Sequence, residues 1–127
     1  MKKIILFPIL VFIVCSSHDC NRKSNSGNLI GKLVIKELCS HYVVQVIGGE
    51  VDSSKVVDGW KDEKRNVSFN KVFTVANRCD FPANDLKEGE EFEFVFDANP
   101  AVQTCMVCMA YYPTPPKANS IKILRKK

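Results

Sequence analysis

The sequence lacks the motifs on which most hydrolases, phosphoryl-transfer enzymes and metalloproteases depend. It contains no GxSxG turn, no HExxH helix and no glycine-rich phosphate loop. Only two histidines, His18 and His41, are present to act as bases near neutral pH. These absences predict a protein that is not an enzyme and that carries no cofactor.

Long hydrophobic runs and a strong excess of one charge are also missing. The longest apolar run, Ile4 to Cys15, is shorter than the roughly 18–20 residues that a spanning helix needs. Lys and Arg number 18 against 14 Asp and Glu, a net charge of only +4 over 127 residues. This balance favours neither nucleic-acid binding nor a disordered chain. With 46% hydrophobic residues, the composition is that of one small globular domain.

The N-terminus has the pattern of a secretory signal peptide. Met1-Lys2-Lys3 is a short positive region, Ile4–Val14 is apolar, and small or polar residues follow. We therefore predict a signal peptide over residues 1–15, a flexible tether over 16–28 and a single all-β domain over 29–127.

Two cysteines near the end of the apolar run are candidates for a lipid anchor. Cys15 directly follows Val14 and is the preferred acylation site, with Cys20 as the alternative. Simple secretion, with cleavage guided by Val14 and Ser16, is the other outcome. An acylated cysteine would place the domain on a membrane surface.

Beyond the tether, apolar residues alternate with polar ones at the period of a β-strand. The stretches Gly31–Leu38 and His41–Ile47 predict a first strand pair. Val67–Ala76 predicts a strand with Phe69, Phe73 and Val75 on one face.

Three further strands are predicted in the second half of the chain. Phe92, Phe94 and Phe96 form a stripe opposite Glu91 and Glu93. Strands over 104–112 and 120–125 follow, joined by a proline-rich loop over 113–116. Five or six strands with one long connection, 48–66, favour a small antiparallel OB-like barrel, and an immunoglobulin-like β-sandwich is the alternative.

Four cysteines of the domain, Cys39, Cys79, Cys105 and Cys108, are predicted to form disulfides in the exported protein. In an extended strand the α-carbons of Cys105 and Cys108 would stand roughly 10 Å apart, beyond the ~7 Å that a disulfide spans. Each therefore pairs with Cys39 or Cys79. Of the two orders, we favour Cys79 with Cys108 and Cys39 with Cys105.

Two other chemistries are open to the same cysteines. A redox-active Cys105-x-x-Cys108 motif would need a helix to lower the pKa of the first thiol, and no helix is predicted there. A four-cysteine zinc site would normally show two paired knuckles, and this chain has one. His41, two residues after Cys39, is interpreted as a partly exposed strand residue.

Aromatic residues supply the candidate binding site. Trp60, the only tryptophan, lies in the charged connection 48–66, and tryptophan is enriched at binding hot spots. Tyr111 and Tyr112 precede the proline-rich loop and form a second aromatic group. For all three residues the alternative is a packing role at the end of the barrel.

Five features of the sequence carry a resemblance: the lysine-led signal ending at a cysteine, and the stretches GKLVIKELCSHYVVQV, VFTVANRCDFP, LKEGEEFEFVF and CMVCMAYYPTPP. Together they resemble small exported proteins and lipoproteins of Bacteroidota-type bacteria. The resemblance covers about residues 31–124, and its motifs are structural. It implies a cysteine-tied all-β domain of the cell envelope and brings no catalytic residue.

The leading hypothesis from the sequence is an exported β-domain, without enzymatic activity, that binds a protein or glycan partner at the cell envelope. A cysteine-based redox or zinc protein is the second hypothesis. A purely structural envelope component is the third.

Overall fold

The structure is a computed structural model that describes residues 27–106 and 108–127. The predicted signal peptide, nearly all of the predicted tether, and both candidate lipidation sites, Cys15 and Cys20, lie outside the described residues. Within the part that is described, no helix is both long enough and apolar enough to cross a membrane.

Eight strands, β1 to β8, and one short 3-10 helix follow one another along the described residues. The strands are Leu29–Glu37, His41–Gly48, Trp60–Asp62, Val67–Phe69, Val72–Val75, Glu91–Phe96, Ala118–Asn119 and Ile121–Lys126, and the 3-10 helix is Ser53–Lys55. Six strands form one sheet in the order β7-β5-β2-β1-β6-β8, and β3 pairs with β4 in a separate hairpin.

The last stretch of chain brings the two edges of the large sheet together. Strand β7 pairs in parallel with β5 at one edge, and β8 pairs antiparallel with β6 at the other. Only Ser120 separates β7 from β8, so the sheet must curl for one short segment to reach both edges. This connectivity is that of a small Greek-key barrel of the OB type. The prediction of a small all-β barrel is confirmed.

The predicted phenylalanine stripe on β6 forms the centre of the inner core. Phe92 and Phe94 are fully buried, and Phe96 packs against the same cluster. They meet Leu33 and Phe73 from β1 and β5. Burying each large apolar side chain contributes about 2–3 kcal/mol, so this cluster is a principal source of stability for the barrel.

A second cluster covers the outer face of the sheet, where the β3–β4 hairpin packs. Val34, Ile35, Val43, Val72 and Tyr112 are its buried members, with Trp60 and Phe69 partly buried against them. An irregularity in the pairing of β1 with β2 lies between Leu33 and Ile35. This irregularity places Leu33 in the inner core and Ile35 in the outer cluster, although alternate strand residues normally share a face.

Two of the predicted strands are wrong. Val67–Ala76 is not one strand, because a turn divides it into β4 and β5, with Lys71 in the left-handed region at φ 53°. As a result Phe69 lies in the outer cluster and Phe73 in the inner core.

The predicted central strand over 104–112 is wrong as well. Its described residues are irregular, and all but Tyr112 are exposed. They belong to a long connection between β6 and β7, residues 97–117, which we call the connecting segment. Apolar composition indicated burial here, but the segment lies on the surface, where disulfides join it to two loops.

Candidate functional site

Two disulfides attach the connecting segment to the barrel. Cys39 is bonded to Cys108 and Cys79 to Cys105, with Cα–Cα distances of 5.1 and 5.6 Å. The prediction that all four pair, and that Cys105 does not pair with Cys108, is confirmed. The preferred order, Cys79 with Cys108 and Cys39 with Cys105, was wrong. The irregular segment instead meets the loop before β6 first and the β1–β2 turn second.

Five large apolar side chains close to these disulfides are almost fully exposed to solvent. We call them the apolar patch: Leu38 at 83%, Val102 at 87%, Met106 at 97%, Met109 at 98% and Tyr111 at 82% exposure. The other exposed large apolar residues of the described chain, Ile47, Val67 and Leu124, are each only 44% exposed. The largest unburied apolar side chains are therefore concentrated near the two disulfides.

The disulfides bring the members of the patch to one end of the barrel. Leu38 adjoins Cys39 in the β1–β2 turn, and Met109 adjoins its partner Cys108. Met106 lines one small cavity, of about 60 Å³, together with Cys39 and Cys79. Tyr111 follows Ala110, whose carbonyl lies 3.0 Å from the His41 ring. His41 is thus a partly exposed strand residue, as predicted.

The connecting segment is also unusual in its charge. From residue 98 to residue 116 there is no Asp, Glu, Lys or Arg, although 25% of the chain is charged. Surfaces that bind nucleic acid or acidic membranes carry Lys and Arg. An uncharged surface with methionine side chains is instead typical of contacts with apolar protein surfaces, because methionine adapts its shape to the partner.

The structure separates Tyr111 from the other two aromatic residues predicted to bind, Trp60 and Tyr112. Trp60 is half-buried and stacks on Phe69, with ring centroids 6.3 Å apart. Tyr112 is buried in the same outer cluster. Tyr111 alone extends into solvent as part of the apolar patch. Binding by these residues stays a prediction, and Tyr111 is the one whose ring is free to contact a partner.

A buried carboxylate that the sequence did not single out holds Tyr112 in place. Asp62 is completely buried, and its Oδ2 accepts a hydrogen bond of 2.7 Å from the Tyr112 hydroxyl. Backbone N–H groups of Lys64 and Arg65 donate to the other oxygen. Burial, and then the hydrogen bond to Asp62, raises the pKa of Tyr112 to about 12. In the sequence Asp62 is one of several charged residues in the connection 48–66, and no pattern there indicates that its carboxylate is buried.

Arg65 connects this pair to the β1–β2 end of the barrel. Its guanidinium lies 3.6 Å from Asp62 and 2.6 Å from Glu37, and it also pairs with Glu88. Burial alone would raise the pKa of Glu88, but hydrogen bonds from Arg65 and the Lys36 backbone outweigh it and hold that pKa below its ordinary value. The hydrogen bonds and ion pairs of Asp62 and Arg65 therefore hold the connecting segment in place at Tyr112.

Nothing in the described part of the chain forms a metal centre. No group of three or more His, Cys, Asp or Glu side chains there is arranged to hold an ion. Since all four domain cysteines are bonded in disulfides, none offers the thiolate that zinc requires.

No family model, curated protein or solved structure matches this chain.

Proposed function

We propose that this protein is an exported, non-enzymatic β-barrel domain that binds a partner protein at the cell envelope through its apolar patch. One observation carries the proposal: Leu38, Val102, Met106, Met109 and Tyr111 are each more than 80% exposed, and each lies within three residues of a disulfide-bonded cysteine along the chain. A concentration of exposed large apolar side chains on a small protein is typical of an interaction site.

The chemistry of the patch favours a protein over a glycan. Four of its five members are aliphatic or thioether side chains, and no charged residue lies between positions 98 and 116. Recognition of a hydroxyl-rich ligand needs convergent polar groups to fix its orientation. Interfaces between proteins are instead enriched in Met and Tyr.

The disulfides support binding because they limit the freedom of the patch. An unrestrained loop would lose conformational entropy on association, at about 0.5–1.5 kcal/mol for each ordered side chain. Here Cys105 and Cys108 anchor the segment on both sides of Met106. Part of that cost is therefore met when the protein folds.

The disulfides also support export, because such bonds persist mainly in oxidising compartments outside the cytoplasm. Export through the predicted signal peptide would place the patch at the cell envelope. Acylation at Cys15, or at Cys20, would add a membrane anchor.

The proposal is tested by site-specific photo-crosslinking in cells that produce the full chain. A photoreactive amino acid is placed at position 102 inside the patch, or at position 67 outside it. We expect a discrete adduct from position 102 that is absent from position 67.

Matched variants decide whether that adduct depends on the patch. With the crosslinker at 102, the double variant Met106→Asp/Met109→Asp should abolish the adduct, since two carboxylates cannot be desolvated in an apolar interface. The control Leu124→Asp should retain it. Equal crosslinking from positions 67 and 102, or an adduct that persists in the double variant, would overturn the proposal.

A further inference from the structure

Arg78 differs from the other arginines that the structure describes. In the described part of the chain, no carboxylate lies within 4.0 Å of its guanidinium. Arg65 is paired with three carboxylates and Arg125 with Glu93. Arg78 is also half-buried, so its charge has lost part of the water that solvates a fully exposed arginine. An acidic group from another molecule would find a cation here with no competing partner in the described chain.

A hydrogen bond diverts the acid that is nearest to Arg78 in sequence. Asp80 is two residues away, but its Oδ2 accepts a hydrogen bond of 2.9 Å from the side-chain amide of Gln103. The same amide nitrogen donates to the Ala101 carbonyl, and the amide oxygen accepts from the Cys79 backbone. The fold thus holds Asp80 against the connecting segment and leaves Arg78 without it.

Arg78 lines the small cavity near the two disulfides, and none of the described residues that line it is acidic. The cavity measures about 60 Å³. Since a cavity needs roughly 10–15 Å³ to hold one water, this one has room for a carboxylate group. Ser40 also lines it, and a serine hydroxyl is a further donor to a carboxylate.

The small cavity adjoins an open groove of about 330 Å³, since Arg78 and Met106 line both. Tyr42 and Phe81 also line the groove, buried and stacked with their ring centroids 4.8 Å apart. Of the described residues that line it, Asp85 alone is acidic, and no ion pair joins Asp85 to Arg78. The groove therefore combines aromatic surface with one unpaired cation.

The apolar patch borders the same cavity from two segments of the chain. Met106 lines the cavity itself, and Val102 precedes Gln103, which lines it too. Leu38 precedes Cys39, another lining residue, in the β1–β2 turn. A partner segment that covers Arg78 is therefore within reach of apolar side chains from both segments.

We propose that Arg78 is the charged contact of the partner site, and that the partner presents an aspartate or glutamate side chain flanked by apolar residues. This inference deepens the proposed function and rests on it for the surface involved. An arginine binds a carboxylate through two parallel hydrogen bonds, and the pair is stronger where water is partly excluded. Arginine is also enriched at binding hot spots. The acid is a side chain within the partner, because the patch needs apolar partner residues before and after it.

The site is tested by selecting peptides on the full exported chain with both disulfides closed. Phage that display random peptides are selected in parallel on wild type, Arg78→Gln and Lys61→Gln. Lys61, exposed on β3, is the matched control because its replacement also removes one positive charge. We expect wild type and Lys61→Gln to enrich peptides with an acid between apolar residues. Arg78→Gln should enrich apolar peptides without the acid.

The affinity of the best wild-type peptide, measured by fluorescence polarisation, isolates the ion pair. Arg78→Gln should weaken binding at least about tenfold. Arg78→Lys should weaken it less, because lysine keeps the charge but not the paired hydrogen bonds. Replacing the acid of the peptide by its amide should weaken binding to wild type similarly and should not change binding to Arg78→Gln. If Arg78→Gln does not fold, the acid and amide peptides on wild type still decide.

Three results of the peptide experiments would overturn the inference. They are a wild-type selection that enriches no acid, an acid that stays enriched on Arg78→Gln, and equal affinities of the acid and amide peptides for wild type. A dimer of this chain that Arg78→Gln dissociates in size-exclusion chromatography would also overturn it, since a second copy would then occupy the site.

Crosslinking from position 102 in cells separates this inference from the proposed function. An adduct that is lost in Arg78→Gln and kept in Lys61→Gln would support both. An adduct that is kept in Arg78→Gln but lost in Met106→Asp/Met109→Asp would overturn the inference alone. Acid-dependent peptide binding without any adduct from position 102 would support the carboxylate site and overturn the proposed function.

Discussion

The side-chain amide of Asn77 makes the two hydrogen bonds to the Ile121 backbone that a neighbouring strand would otherwise make. Its Nδ2 donates to the Ile121 carbonyl at 2.7 Å, and its Oδ1 accepts from the Ile121 N–H at 3.0 Å. Both residues are buried. Because Ile121 begins β8 just after the break at Ser120, Asn77 continues the hydrogen bonding where β5 has ended and helps to close the barrel.

Replacing Asn77 should therefore destabilise the closure. Asn77→Ala leaves a buried N–H and a buried carbonyl without partners, and we expect a loss of about 1–3 kcal/mol in the free energy of unfolding. Urea unfolding measures the loss. The exposed Asn84→Ala is the matched control and should change stability by less than about 0.5 kcal/mol. Equal effects of the two substitutions would refute the role of Asn77.

The hydrogen bond between Tyr112 and Asp62 should make stability depend on alkaline pH. Tyr112→Phe leaves the buried carboxylate without one partner, and we expect a loss of about 1.5–3 kcal/mol at pH 8. Tyr111→Phe, at an exposed ring, should change nothing.

The sign of the pH effect follows from the raised pKa. The folded protein holds the Tyr112 proton more tightly, with a pKa of about 12 against about 10 in an unfolded chain. The stabilisation is complete below pH 10 and is lost as the pH rises towards 12. The stability gap between wild type and Tyr112→Phe should therefore shrink between pH 10 and pH 12 in urea unfolding. A constant gap would contradict the assignment.

Gly31 in β1 should tolerate no side chain while the phenylalanine stripe is intact. A Cβ atom there would lie 2.9 Å from the Phe94 ring and 3.0 Å from the Phe92 ring. Gly31→Ala should cost about 1–3 kcal/mol through overpacking. In a double-mutant cycle, Phe94→Leu should offset at least about 0.5 kcal/mol of that cost. Strictly additive effects would show that the ring is not the obstacle.

The apolar patch should contribute nothing to folding. Because Met106 and Met109 are exposed, Met106→Asp and Met109→Asp should each change unfolding free energy by less than about 0.5 kcal/mol. Phe73→Ala, in the inner core, should cost about 3–5 kcal/mol. Thermal unfolding of the three variants distinguishes the cases, and a large loss in either methionine variant would show that the patch packs against the barrel.

Much of the fold could be predicted because period-two alternation is local. The β1–β2 pair, the stripe on β6 and the last strand all follow from neighbouring residues along the chain. The same reasoning failed over 104–112, where apolar composition had a different cause. There the side chains remain on the surface, held by disulfides to residues far away in sequence.

The candidate site was only partly predictable. Tyr111 was identified from its residue type and its place before the prolines, and it lies in the exposed patch. Tyr112 was identified in the same way, and Trp60 as the only tryptophan in a charged connection, but both pack in the outer cluster. Leu38, Met106 and Met109 were not singled out, since an exposed apolar residue is indistinguishable in sequence from a buried one.

The sequence by itself determined the all-β class, most of the strand positions and the pool of four cysteines that pair, because these depend on local pattern and composition. Tertiary structure decided the disulfide order, the bonding of Asn77 to Ile121 and the burial of Asp62 beneath Tyr112. Each of these joins residues 26 to 69 positions apart. Such contacts form only when the barrel brings distant segments together, and no local pattern specifies them.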